Sequence, residues 1–162
     1  MMRSDALEVT ACKLQLGLLS AAAVPDVATE ALSRGCDSPS LRRLAGLTGS
    51  EAEEVGPLFD RALAELGSPQ LSDAEAVMRL AREISQAIVA GTTAPHDGAK
   101  RIWDLTLRVP GERFPDLDTF IYAASEWEER PEDRRFFDEG IVAAARELSD
   151  AWRKTRGIGD DP

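Results

Sequence analysis

Along almost the whole chain apolar residues recur at intervals of three and four, and no stretch alternates with a period of two. Such spacing gives a helix one apolar stripe and gives a strand no apolar face, so the expected fold class is all-α. Glycine and proline cut the pattern into segments. Leu7, Ala11, Leu14, Leu18 and Ala22 share one stripe, which with Ser4 as N-cap predicts a first helix ending before Pro25. A second helix is expected from Pro25 to Arg34, with Gly35 as its C-cap. Asp37, Ser38 and Pro39 open a third, carrying Leu41, Leu44, Ala45 and Leu47 and ending at Thr48 and Gly49. Ser50 and Glu53 then have capping-box spacing. Pro57 predicts a break at Gly56, before a helix that carries Leu58, Phe59, Ala62, Leu63 and Leu66.

Gly67, Ser68, Pro69 and Gln70 combine a helix stop with a proline ahead of a fresh start, the strongest boundary signal in the chain. Ser72 and Glu75 form a second capping box, followed by Val77, Leu80, Ala81, Ile84 and Ile88 at helical spacing up to Gly91. Pro95 begins a helix presenting Ala99, Ile102, Trp103 and Leu105, which Pro110 and Gly111 break. Leu117, Phe120, Ile121, Ala124 and Trp127 define the next, ending near Arg130 because Pro131 follows. Pro131, Glu132 and Asp133 suit the first turn of a last helix with Phe137, Ile141, Ala144, Ala145, Leu148 and Trp152 on one face. Four helices with short connections form the pattern of an antiparallel bundle. The expected organisation is an N-terminal helical subdomain over 1–68, a C-terminal four-helix bundle over 69–156 and a frayed tail over 157–162, or one compact domain overall.

Nineteen Lys and Arg against 29 Asp and Glu leave a net charge of −10 on 162 residues. Phosphate affinity comes mostly from Lys and Arg, so this balance argues against sequence-independent nucleic-acid binding and for a basic protein partner. No apolar run approaches the roughly 18 residues of a membrane span. The Ala-rich segment 14–24 follows Asp5 and Glu8 with Lys13 at its edge, which fits a helix better than a secretion signal. Cys12 and Cys36 are too few for a disulfide scaffold and form no CxxC pair, so buried thiols in a reducing cytoplasm are expected.

The segment from Ser40 to Gly67 has the LA pair, turn glycine and second amphipathic helix of a bacterial helix-turn-helix regulator. Its second helix offers Glu51, Glu53, Glu54, Asp60 and Glu65 against the single cation Arg61, a surface that phosphate would repel. Arg42 and Arg43 lie on the helix before it. His96, the only histidine, has no metal-ligand companions and is expected as an exposed loop residue. No GxSxG, GxxxxGK[ST], GxGxxG or HExxH occurs, so neither an enzymatic activity nor a cofactor is expected. A carboxylate hydrolase using Glu126, Glu129 and Asp133 is the weaker alternative.

The strongest local bias is acidic. From Glu112 to Glu139 ten acids face four arginines, 4 − 10 = −6, and Glu126 and Glu129 share the outer side of a helix ending beside the next. Such a corner serves either as a solvated surface or as a contact for a basic partner.

The stretches LAREISQAIVAGTTAPHDGAKRIW and DLDTFIYAASEWEERPEDRRFFDEGIVAAARELSDAW together resemble bacterial immunity proteins of the colicin D type. The matching positions are Leu80 and Ala81, Ile102 and Trp103, Phe120 to Trp127, the turn from Pro131 to Arg134, and Ile141 to Leu148, roughly half the chain. The resemblance implies a four-helix bundle that neutralises a tRNA-cleaving ribonuclease by setting acidic side chains into its basic cleft. Glu126, Glu128, Glu129, Glu132 and Asp133 would then be the phosphate mimics, and the function is non-enzymatic protein binding.

Overall fold

The structure, a computed structural model, describes residues 5–155, so the expectations for Ser4 and for 157–162 lie outside the described residues. Eight α-helices follow one another: α1 (Asp5–Gln15), α2 (Val24–Ser33), α3 (Pro39–Ala45), α4 (Ala52–Glu65), α5 (Asp73–Val89), α6 (Pro95–Thr106), α7 (Asp118–Glu129) and α8 (Arg134–Thr155). No strand occurs among the described residues, and none of their helices is long and apolar enough to cross a membrane. The chain divides into two compact units, one up to Ala76 and one from Val77, so the division falls inside α5, beyond the Gly67–Gln70 segment.

In the first unit Leu7, Val24, Ala28, Leu41, Leu44, Val55, Phe59 and Ala62 form one buried core with the thiol of Cys36. Cys12 is likewise buried, and the two cysteines are not joined in a disulfide. The first helix is shorter than its apolar stripe. Gly17 adopts φ 70°, its N–H donates to the Leu14 carbonyl, and the Leu18 N–H reaches back to Lys13 at 2.8 Å, a Schellman stop that ends α1 at Gln15. Only a short 3₁₀ turn, Ala21–Ala23, precedes α2, its start marked by Ser20 accepting from the Ala22 N–H.

Three further expectations fail around α4. The third helix ends at Ala45, with Gly46 as its C-cap, and does not reach Thr48. The cap of the next segment is Thr48 and Glu51, where the Glu51 carboxylate accepts from the Thr48 N–H at 2.8 Å, and not Ser50 and Glu53. Pro57 lies inside α4 without breaking it. Gly56 carries no Cβ to collide with the proline ring, which removes the main objection to a helical residue before proline. Burial of Val55, Leu58, Phe59, Ala62 and Leu63 offsets the missing N–H bond.

From the start of α5 onward the expected elements form. The Ser72 and Glu75 box closes α5 with bonds of 2.8 and 3.2 Å, and Val77, Leu80, Ala81, Ile84 and Ile88 are buried along it. α6 packs on α7 and α8, and α7 packs on α8. Gly98 lets Ile84 and Ile88 of α5 lie against the α6 backbone, since a Cβ there would fall 2.5 Å from Ile88 Cδ1. Ala99, Ile102, Leu117, Phe120, Phe137, Ile141 and Ala145 fill the remaining interior.

Candidate functional site

Proline chemistry builds the acidic corner. Pro131 disfavours helical geometry at the residue before it, and Arg130 accordingly turns to φ −125°, ψ 74°, ending α7. A single 3₁₀ turn, Pro131–Asp133, then leads straight into α8. Glu126, Glu128 and Glu129 thus occupy the last turn of α7, while Glu132 and Asp133 open the next element.

The five carboxylates divide by partner. Glu126 lies 3.6 Å from the Arg130 guanidinium, which also pairs with Asp133, and these two acids, Asp133 first, hold the guanidinium pKa above its ordinary value. Glu128 accepts from Lys100 Nζ at 2.9 Å, with His96 Nε2 at 3.4 Å from the same oxygen. The Lys100 hydrogen bond holds the Glu128 carboxyl below the usual carboxylate range, and Glu128 in turn raises the Lys100 ammonium. Glu129 and Glu132 are exposed, and neither makes an ion pair among the described residues. The corner is therefore not five equivalent free charges. Three acids are internally compensated and two stand open.

His96 departs from expectation. It lies in the first turn of α6 with its side chain only 12% exposed, stacked on Trp127 at a centroid distance of 3.9 Å and 11° between planes. The Arg134 guanidinium sits 4.0 Å over the same indole and donates from Nε to the Trp127 carbonyl at 3.2 Å. His96 and Arg134 therefore grip the end of α7 from α6 and α8, which fixes the direction in which the acidic turn points. No sequence motif marks this, because the three residues meet only through packing.

Beside the corner, exposed aromatics appear. Tyr122 and Phe136 are 59% and 71% exposed, each edge-on to the buried Phe137, and Arg130 lies 5.6 Å over the Phe137 ring. On the other side, a groove of about 380 Å³ runs between α6 and α7, bordered by Trp103, Asp104 and Leu107 and by Glu128 and Glu129. Its α6 side, Lys100 included, was not among the residues expected at the site. Lys100 and Asp104 are one turn apart, a spacing visible in the sequence, but the pairing with Glu128 is tertiary.

Elsewhere the helix-turn-helix candidate carries occupied cations: Arg42 pairs with Asp37 and Arg43 with Glu54. Among the described residues no three His, Cys, Asp or Glu side chains converge as a metal site. Comparison of the chain with protein-family models, with curated proteins and with solved structures returns no match.

Proposed function

We propose that this is a non-enzymatic binding protein that engages a basic protein through the corner from Glu126 to Asp133, and that α5 to α8 form an antiparallel four-helix bundle presenting it. In its sharper form the reading is an immunity-type inhibitor of a basic nuclease, a cytoplasmic role in line with the resemblance of the second half.

The observation that carries the reading is the placement of the α7 acids. Carboxylates in the last turn of a helix face the negative end of its dipole, which is unfavourable for each of them. Glu128 is offset by Lys100, and Glu126 by Arg130, but Glu129 has no such compensation among the described residues. A carboxylate placed against local stability is expected where its charge serves a partner. Glu132 and Asp133 have a local reason as well, since they complement the start of α8. A regulator binding DNA through 40–67 has less support, because Arg42 and Arg43 already hold carboxylates.

The test is affinity capture from lysate of the source organism at low and moderate salt, with wild type, a Glu132→Lys variant and a Glu129→Lys, Glu132→Lys variant. Both substituted residues are exposed and unpaired, so circular dichroism should match wild type, with Glu132→Lys melting slightly lower and the added Glu129→Lys change offsetting that loss. The expected result is one basic protein captured by wild type, weakened by the single change and lost in the double. Inhibition of tRNA cleavage by that protein would establish the immunity form. Equal capture by all three would sink the reading.

A further inference from the structure

We propose that the groove between α6 and α7 seats a Lys or Arg side chain together with a neighbouring apolar residue of the partner, so that recognition needs a cationic and apolar pair and not charge alone. This rests on the reading that the acidic corner binds a basic protein, and it names the feature of that protein which is read.

The groove, about 380 Å³, combines an apolar floor with a charged rim. Trp103 is half-buried and offers part of its indole, and Leu107 is 65% exposed at the end of α6. An exposed leucine beside a tryptophan is a surface that water covers poorly and that a partner's apolar group would desolvate favourably. On the rim stand Asp104, Glu128 and Glu129 against the single cation Lys100, 1 − 3 = −2. Glu128 already holds Lys100 at 2.9 Å, whereas Asp104 and Glu129 have no ion pair among the described residues. The chain's own ammonium thus shows that the rim accepts a cation, with two further carboxylates flanking the floor.

Lysine and arginine match both halves of that surface. Their methylene stems lie along apolar groups while the charged head reaches polar ones. A guanidinium or ammonium over Trp103 gains from the ring quadrupole as well, and charge-assisted bonds to Asp104 or Glu129 fix the head group. An acidic or neutral segment would leave both carboxylates without a counter-charge, and an extended polyanion would be repelled.

The probe is the tripeptide acetyl-Arg-Leu-Arg-amide, titrated into the full chain and followed by the indole N–H resonances, with Trp103 assigned through Trp103→Phe. Saturable movement of the Trp103 signal is expected, with binding about tenfold weaker for Asp104→Asn, Leu107→Ser and about fivefold weaker for a peptide with Ser replacing Leu. Both substituted side chains are exposed, so the fold should survive. A Trp103 signal that stays still while shifts spread over the acidic surface would overturn the proposal, as would equal binding of the two peptides. The two readings fail separately. If the peptide misses the groove but Glu132→Lys still weakens protein capture, the groove falls and the corner stands. If the peptide seats at Trp103 while Glu132→Lys, outside the groove, leaves capture unchanged, the groove stands and the corner falls.

Discussion

Glu65 shows what a single exposed carboxylate does when its partners are backbone and buried hydroxyl groups. From the end of α4 it accepts from the Ser40 N–H at 3.0 Å and from the Ser40 hydroxyl at 2.8 Å, and Ser40 itself is only 5% exposed. The bonds satisfy a donor in the first turn of α3 that has no intrahelical acceptor. They hold the Glu65 carboxyl below its ordinary value of 4.5, the Ser40 backbone bond contributing most. Because the folded pKa is depressed, the stabilisation is fully present above about 4.5 and is lost as pH falls through the folded value. Glu65→Ala should therefore lower the melting temperature at pH 7, and the gap to wild type should close as pH falls below about 4.5; a gap of constant size would contradict the assignment. Nothing in the sequence singles out Glu65, since a bond across 25 positions exists only once α3 and α4 pack. The surroundings of His96 are hidden from the sequence for the same reason. Its lack of ligand companions says nothing about Trp127 and Arg134, which hold it through ring contacts made after folding.

Glycines inside helices separate two kinds of packing that sequence treats alike. Gly98 of α6 and Gly140 of α8 both sit at helical positions where alanine has the better propensity by about 1 kcal/mol. A Cβ at Gly98 would meet Ile88 Cδ1 and Cγ1 at 2.5 and 2.6 Å, while one at Gly140 meets nothing within 4 Å. Ile88 is 4% exposed and has little room to retreat. Gly98→Ala should thus destabilise by about 1–3 kcal/mol despite its propensity gain, whereas Gly140→Ala should stabilise by about 0.5–1 kcal/mol. Chemical denaturation of the two variants decides, and opposite signs are the expected outcome. The start of α5 at its capping box and the stop of α7 before Pro131 were legible because caps and prolines act locally, whereas α6 ends at Thr106, short of the break expected at Pro110 and Gly111. The early end of α1 and the passage of α4 through Pro57 were not legible. There the competing signals, an apolar stripe running past Gly17 and a proline after Gly56, are weighed by tertiary burial.

Over the whole molecule a charge of −10 with −6 of it between Glu112 and Glu139 is evident from the sequence, and Pro131 marks the turn between α7 and α8 where Glu126 to Asp133 lie. What could not be read was which charges remain open, since Lys100, Arg130 and His96 reach the acids by packing. That difference sets how a partner would be bound. Long-range attraction depends on net charge, which internal ion pairs do not remove, and it is screened over about 10 Å at 0.1 M salt and 3 Å at 1 M. The open carboxylates and the groove act only at contact. Association with the captured basic protein should therefore slow by about tenfold or more between low and high salt. Glu132→Gln should lower mainly the association rate. Leu107→Ser removes an apolar contact and no charge, so it should instead speed dissociation with little change in association. Stopped-flow or surface-based kinetics at several ionic strengths separates these effects. A salt dependence confined to dissociation, or a Leu107→Ser variant slowed in association, would mean that encounter and anchoring are not divided between the corner and the groove.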